Sequence, residues 1–173
     1  MFLYEFRREL LFLFQNIFIL RTLLIIMSLF KYKKKRNLKK SGEPEAKFKK
    51  SPSRIYVIHE HHARNLHWDL RLQMHGVLKS WAIPKQPPRS KNMKRLAIEV
   101  EDHPIGYATF EGIIPEGNYG AGKVKIWDKG TYKLIETTKD KIEFELHGKK
   151  LSGKYVLIKT NYQGDKSWLF FKI

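Results

Sequence analysis

The sequence predicts an all-β protein: a compact antiparallel β-barrel with few short helices and a basic N-terminal arm. Two observations support this fold class. From residue 54 onward apolar and polar residues alternate with period two, and clusters of Gly, Pro, Asn, Asp or Lys separate the alternating runs. The runs are rich in Val, Ile, Tyr, Phe and Trp, and many such short strands at near-regular spacing are typical of barrels and sandwiches.

The predicted strands are, in chain order, RIYVIHE, LHWDLRLQM, GVLKSWAI, RLAIEVE, GKVKIWD, GTYKLIE, KIEFELHG, LSGKYVLIKT and SWLFFKI. Residues 128–130 (DKG) and 147–153 (HGKKLSG) are predicted hairpin turns. Residues 84–94 and 112–122 are irregular segments rich in Pro or Gly. Loops of this kind on a rigid barrel often carry function.

The first 26 residues are apolar but interrupted by charges. Their longest uncharged run, residues 10–20, is 11 residues long, short of the ~20 needed to cross a bilayer. No small-residue cleavage site follows it, which argues against a signal peptide. We therefore predict an apolar extension at 1–26 before a native start at Met27. The alternative is an amphipathic helix on a membrane surface or against the core.

The charge of the chain indicates a polyanionic partner. It holds 34 Lys and Arg against 17 Asp and Glu, a net charge of +17. Residues 1–50 hold 13 basic and 4 acidic side chains, so the rest of the chain is also basic. We predict a basic arm at 27–53 and a barrel domain at 54–173 that presents a positive surface to nucleic acid. A solvated basic surface without a specific partner is the alternative.

The absence of cysteine excludes disulfides, thiolate metal sites and thiol catalysis. A protein without cysteine suits a reducing compartment, and we expect this one in the cytoplasm. Any metal must be bound by His, Asp, Glu or water.

The segment HEHHARNLHWDLRL, residues 59–72, concentrates four histidines on two predicted strands. Residues i and i+2 of a strand share a face, so His67, Asp69 and Arg71 project together. The intervening Trp68 and Leu70 face the core. A turn at HARN would bring His61 close to His67 and Asp69.

Two imidazoles and one carboxylate can hold a divalent cation with coordination positions left open. These ligands suit Mn, Fe, Co or Zn better than Ca. Arg71, two residues beyond the carboxylate, can bind phosphate oxygens bidentately. The alternative is a surface strand whose His and Asp side chains bond to each other.

The segment RLAIEVEDHP, residues 95–104, alternates again. One face is predicted to carry Arg95, Ala97, Glu99, Glu101 and His103. This face would place an Arg, a Glu and a His beside the metal as phosphate ligand, orienting group, and acid or electrostatic group. Together with the first cluster it favours phosphoryl chemistry.

Several segments resemble, in the same order, the 3′-phosphoesterase module of bacterial DNA ligase D, which also occurs as a free-standing protein. They are HHARNLHWDLRL, GVLKSWAIPK, RLAIEVEDHPIGYATFEGIIPEGNYGAGKVKIWDKG and WLFFKI, and the likeness runs from about residue 35 to 173. The resemblance implies a compact β-barrel with a manganese-dependent site, or one that uses Co²⁺ or Zn²⁺. This site would trim DNA 3′ ends in repair, removing a terminal ribonucleoside and then the 3′-phosphate to leave a 3′-OH.

The resemblance also implies site residues and partners. Matched by motif, the metal ligands are His61, His67 and Asp69, as the strand pattern had indicated. The other implied residues are Arg71, Arg95, His103 and Tyr107 around the phosphate, Lys85, Glu101 and His59 in support, and Arg36, Asn37 and Glu43 from the arm. The implied partners are a DNA duplex with a 3′ end and a separately encoded ligase, polymerase or Ku-like factor, without stable membrane association.

Two positions depart from the pattern of the family. Asn37 stands where the family has Asp, and we expect the lost charge to weaken or alter that corner of the site. His59 stands where relatives often have Gln, and both side chains can donate a hydrogen bond to phosphate.

Two other functions fit the same residues. The first is a noncatalytic DNA-end-binding barrel whose histidine cluster is structural. The second is a His-rich metal barrel that acts on small molecules, against which the net charge of +17 stands.

Overall fold

The computed structural model describes residues 2–45 and 54–173. Within these described residues, two α-helices, α1 (Phe2–Lys34) and α2 (Leu38–Ser41), precede nine strands. The strands are β1 (Ile55–His62), β2 (Leu66–Met74), β3 (Val77–Ile83), β4 (Lys94–Glu99), β5 (Gly112–Ile114), β6 (Gly122–Thr137), β7 (Lys141–Gly148), β8 (Ser152–Thr160) and β9 (Ser167–Lys172). A 3₁₀ helix, Ile105–Thr109, lies between β4 and β5.

Eight strands close into an antiparallel barrel in the order β1-β2-β3-β4-β9-β8-β7-β6, with β6 returning to β1. The short β5 pairs only with β6, outside the ring. This confirms the predicted all-β barrel. Closure pairs the edges that an open sheet would expose, so the barrel can carry functional loops on a rigid frame.

The interior of the barrel is filled by alternate apolar side chains from every strand of the ring. Leu70, Leu72, Trp81, Phe144 and Phe170 are all at most 1% exposed and belong to one cluster. Because one face of each strand fills the barrel, the other face of β1, β2 and β3 lies outside it.

A second apolar cluster covers part of this outer face. It joins Val57 of β1 and Leu78 of β3 to Tyr32 of α1 and to Tyr107 and Ala108 of the 3₁₀ helix. As a result β2 is buried on both faces over most of its length. The polar residues that alternate with the core of β2 therefore lie between the barrel and its cover, and not in bulk water.

Helix α1 passes through Met27 without a break and has 33 residues, longer than the few short helices expected. Its last turns, with the buried Leu29 and Tyr32, pack against the barrel, whereas Leu23 and Phe30 are exposed. Among the described residues, no helix is both long enough and apolar enough to cross a membrane. Part of the predicted basic arm, residues 46–53, lies outside the described residues.

The hairpin turn predicted at residues 128–130 is wrong, because β6 runs through them without interruption. Asp128 instead accepts the backbone N–H groups of Lys149, Lys150 and Leu151 and the hydroxyl of Tyr56. It therefore caps the β7–β8 turn from a neighbouring strand. The turn predicted at 147–153 is confirmed, since β7 ends at Gly148 and β8 begins at Ser152.

Candidate active site

A pocket of about 220 Å³ opens on the outer face of the barrel, beside the end of α1 and the 3₁₀ helix. It exists because the strand register brings polar residues of three strands together. His61 lies opposite His67, and His59 lies opposite Asp69. On the next strand Ser80 lies opposite Arg71.

His61, His67 and Asp69 form a group with the geometry of a metal site. Their candidate ligand atoms all lie within 4.8 Å of one another. Oδ2 of Asp69 is 3.7 Å from Nδ1 of His61, and its Oδ1 is 3.8 Å from Nε2 of His67. These distances are too long for hydrogen bonds and close to the ~3.4 Å between two ligands of one ion about 2.1 Å away.

The hydrogen bonds of the two imidazoles orient them for this role. Nε2 of His61 donates to the carbonyl of Gly120 at 2.9 Å, and Nδ1 of His67 donates to the carbonyl of Asn65 at 2.9 Å. Each ring thus has its proton on the outward nitrogen and turns a lone pair toward Asp69. Backbone carbonyls commonly orient metal-binding histidines in this way. The donor set therefore fits a divalent transition metal.

Arg71 lies beside this group and is 3% exposed. Its guanidinium donates to Oδ2 of Asp69 at 3.1 Å, to Oγ of Ser80 at 2.8 Å and to Nδ1 of His59 at 3.4 Å. Burial disfavours the charged form of Asp69, but Arg71 and the neighbouring imidazoles outweigh it and hold the pKa of this carboxyl well below its usual range. Asp69 is therefore ionised at neutral pH.

Arg36 attaches the arm to the pocket. Its guanidinium donates to Glu43 at 2.9 Å, to Glu101 at 2.8 Å and to Nε2 of His103 at 3.1 Å, and it lies 4.2 Å from the ring centroid of Tyr32. The side chains of Arg36, Glu43 and Glu101 are at most 5% exposed. One buried guanidinium thus joins the arm to the segment that follows β4.

The two deeply buried histidines near these arginines are neutral. Burial, reinforced by Arg71, lowers the pKa of His59 to about 3. Burial, with Arg71 and Arg36, also lowers the pKa of His103 well below its ordinary value. Nδ1 of His103 donates to the carbonyl of Glu101 at 2.9 Å, so its Nε2 has the lone pair that accepts from Arg36.

Nine of the thirteen predicted site residues line the pocket. They are Arg36, Glu43, His61, His67, Asp69, Arg71, Glu101, His103 and Tyr107. Of the other four, His59 lies behind Arg71 and packs edge-on against Tyr107. Asn37 is exposed at the N-cap of α2 and makes no side-chain cap bond. The roles of all thirteen stay predictions.

Lys85 and Arg95 do not line the pocket. Lys85 is exposed, and Arg95 donates to the carbonyl of Gln86 at 2.8 Å. The interpretation that residues 95–103 present one continuous face is wrong, because Ala97 lies in the barrel core whereas Glu101 and His103 line the pocket. Strand β4 ends at Glu99, and Val100 then bonds to Ser80 of β3, so the alternation of β4 does not extend to His103.

Three residues at or next to the pocket were not predicted from the sequence: Ser80, Lys35 and Tyr119. Ser80 connects Arg71 to His103, with Oγ 2.8 Å from Arg71 and 3.3 Å from Nδ1 of His103. Lys35 bonds to Glu101 at 3.0 Å, and Tyr119 lines the pocket. The alternation of GVLKSWAI is a signal that could have placed Ser80 on the pocket face. Tyr119 lies in the irregular segment 112–122, where alternation gives no such signal.

The arrangement can bind a metal ion and an anion side by side. The triad lines the pocket and would hold the metal there, and Arg71 has five N–H groups, of which its three hydrogen bonds use three. A buried guanidinium next to a metal centre stabilises negative charge more strongly than it would in water.

Residues 59–159 match the family model described as the DNA Ligase D 3′-phosphoesterase domain. Over 151 residues the chain is 47% identical to the multifunctional non-homologous end joining protein LigD of Mycobacterium bovis. This alignment covers 84% of the chain and 20% of that protein. The chain is 42% identical over 153 residues to the LigD protein of Pseudomonas aeruginosa, covering 83% of this chain and 18% of that protein. The chain spans about a fifth of the length of these relatives.

Proposed function

The chain belongs to the DNA ligase D 3′-phosphoesterase family, and from this premise we propose that it is a metal-dependent phosphoesterase that processes the 3′ ends of DNA during repair. It removes a 3′-terminal ribonucleoside and then the 3′-phosphate, leaving a 3′-OH for ligation or synthesis. The observation that carries the proposal is the triad of His61, His67 and Asp69 next to the buried Arg71.

The metal assigned to the triad is Mn²⁺, with Co²⁺ or Zn²⁺ as alternatives that the same donor set accepts. When bound, it acts as a Lewis acid on a phosphoryl oxygen and offsets the charge that develops there. Asp69 and the lone pairs of His61 and His67 hold it, and the carbonyls of Gly120 and Asn65 keep the two rings in position.

Arg71 binds a nonbridging oxygen of the terminal phosphate. Its orientation is fixed by Asp69, Ser80 and His59, so little reorganisation is needed when charge builds up on the phosphate. The neutral state of His59 supports this role, because a second cation beside Arg71 would be repelled. Arg36 stabilises the phosphate more weakly, since it is already bonded to Glu43, Glu101 and His103.

His103 and Tyr107 have different roles beside the phosphate. The one free lone pair of the neutral His103, on Nε2, accepts from Arg36, and burial next to two arginines disfavours its protonation, so His103 orients Arg36 and is not the base. Burial raises the pKa of Tyr107 far above its ordinary value, so its hydroxyl stays protonated and donates a hydrogen bond to the leaving oxygen.

DNA binds through its backbone and without sequence readout, because exposed cations of the arm and of the β1–β2 turn are close in sequence to Arg36 and Ala63, which line the pocket. Lys35, Lys39 and Lys40 of the arm and Arg64 of the turn are exposed. Affinity should fall steeply as salt rises. The non-homologous end joining named for the LigD relatives suggests a separately encoded ligase, polymerase or Ku-like factor as partner.

The test uses a primer–template whose primer ends in two ribonucleotides. The purified chain is incubated with it in the presence of Mn²⁺ or of chelator, and the products are resolved on a gel. We expect a shortened 3′-phosphate species and then a 3′-OH species, only with metal. His67→Ala should abolish both steps and keep most of the DNA affinity, whereas His147→Ala, a control at an exposed histidine of β7, should keep both.

No cleavage with any divalent metal, alongside tight and salt-sensitive binding of DNA ends, would refute the proposal. It would favour the noncatalytic end-binding barrel instead. A primer whose penultimate sugar lacks the 2′-OH separates the two possible nucleophiles, because this hydroxyl is adjacent to the scissile phosphodiester. If the first step is lost on that primer while a primer that already ends in a 3′-phosphate is still dephosphorylated, the 2′-OH is the attacking group, and the first product is a 2′,3′-cyclic phosphate that water opens.

A further inference from the structure

Tyr119 differs from the other aromatic side chains of the pocket because it is exposed. It lines the same pocket as the metal-binding triad, yet 47% of its surface is accessible, against 2% for Tyr107. The two metal-binding imidazoles and His103 are buried or partly buried. Exposed aromatic rings in polar, cationic grooves are the surfaces on which nucleic acid bases stack.

Tyr119 lies close to the site of the proposed reaction. The carbonyl of the next residue, Gly120, accepts the hydrogen bond of His61 at 2.9 Å. Gly120 has a φ of 75°, a conformation that favours glycine, and this backbone geometry places the carbonyl on His61 and the Tyr119 ring at the pocket. A phosphate at the triad would bring its attached nucleoside into the pocket that Tyr119 also lines.

The ring is also fixed before any substrate binds. Nζ of Lys35 lies 4.6 Å from the ring centroid and 3.4 Å from the hydroxyl, and the guanidinium of Arg36 lies 5.1 Å from the centroid. Lys35 and Arg36 are themselves bonded to Glu101. A ring held in place by two anchored cations loses little freedom when a base stacks on it.

We propose that Tyr119 is the stacking platform for the terminal nucleobase of the 3′ end, so that the enzyme prefers ends whose last sugar carries a base. This inference rests on the proposed function, which places the terminal phosphate at the triad. The competing role is structural: Tyr119 would only connect the loop to the arm through Lys35. The two roles differ because only stacking depends on the presence of the base.

The experiment compares two ends of one duplex. One primer ends in two ribonucleotides, and the other is identical except that its terminal ribose has no base. The variants are Tyr119→Leu, Tyr119→Phe and a control, Tyr162→Leu, which removes a tyrosine that is 77% exposed in the turn between β8 and β9. For each protein the ratio of kcat/KM between the two ends is measured.

The wild-type protein and Tyr162→Leu should process the base-bearing end about tenfold more efficiently, as expected for one stacked base. Tyr119→Leu should bring the ratio close to one, through a rise in KM for the base-bearing end. Tyr119→Phe keeps the ring but not the hydroxyl contact with Lys35, and it should keep the discrimination.

A Tyr119→Leu variant that slows both ends equally, with the wild-type ratio unchanged, would overturn the inference and assign Tyr119 to the structural role. A wild-type protein that processes neither end would refute the proposed function instead. In that case fluorescence anisotropy with the same two duplexes, without turnover, decides the inference. A tenfold preference in Kd for the base-bearing end that is lost in Tyr119→Leu supports it, and equal Kd values overturn it.

Discussion

Replacing Arg36 by Met should detach the arm from the barrel. Glu43 and Glu101 have side chains that are 1% and 4% exposed, and both bond to this guanidinium. Removing one partner of a buried ion pair costs about 3–5 kcal/mol, because the remaining charge is left without compensation. The arm can undock and let water reach both carboxylates, so the cost should appear as easier local opening of the arm and not as global unfolding.

Lys35 provides the matched control. It bonds to the same Glu101, but its side chain is 43% exposed, and ion pairs of this kind contribute about 0–1 kcal/mol. Hydrogen exchange of the amides in residues 29–44 measures the opening. Arg36→Met should lower their protection on the order of 100-fold, since 3 kcal/mol corresponds to about two decades. Lys35→Met should lower it by less than about fivefold.

Two results would contradict this reasoning. If Arg36→Met left the protection of the arm within fivefold of the wild type, the buried ion pairs would not hold the arm. If Lys35→Met had the same effect as Arg36→Met, exposure would not decide the strength of the pair. The amides of β7 and β8, far from the arm in the strand order, report global stability in the same experiment.

Three further predictions concern acid, the arm and the core. Burial raises the pKa of Glu101, but the bonds to Lys35 and Arg36 outweigh it and leave this pKa below the ordinary 4.5. A carboxylate with a lowered pKa stabilises the folded state above pH 4.5, and this stabilisation is lost as the pH falls below that value. Hydrogen exchange measured at several pH values should therefore show the arm opening in acid. Asn37→Asp should change kcat/KM less than about twofold, because this exposed side chain lies outside the pocket; a tenfold gain would show that the lost charge matters. Leu70→Ala should lower the free energy of unfolding by about 2–5 kcal/mol, because Leu70 is fully buried in the core. Ile113 is 70% exposed, so Ile113→Ala should lower it by less than about 0.5 kcal/mol. Denaturant unfolding curves measure both changes.

The alternation of β1 and β2 was sufficient to predict that His61, His67 and Asp69 lie together. A period of two assigns faces without reference to the rest of the fold, and a short turn at 63–65 aligns His61 with His67. The same rule failed for Arg95 because β4 ends at Glu99, where the pairing with β9 stops and only the bonds to β3 continue. Periodicity describes a strand only as long as the strand continues, and the strand end depends on pairing with distant residues.

Asp128 shows a second limit of local reasoning. Asp, Lys and Gly in succession are typical of a turn. In the barrel the same residues continue β6, and the Asp128 carboxylate accepts three backbone N–H groups from the β7–β8 turn. The N–H groups that Asp128 accepts belong to a segment some twenty residues further along the chain. A prediction from the residues next to position 128 cannot include that segment.

The two arginines of the pocket differ in how far strand register determines their positions. Arg71 is fixed by residues of the barrel, Asp69, Ser80 and His59, so its position follows from strand register. Arg36 comes from the arm, and its hydrogen bonds to Glu43, Glu101 and His103 exist only when the arm is docked. An anion entering the pocket must compete with these partners for Arg36 but finds Arg71 with N–H groups to spare. We therefore expect Arg71 to be the principal anion ligand, whereas Arg36 first holds the arm over His103.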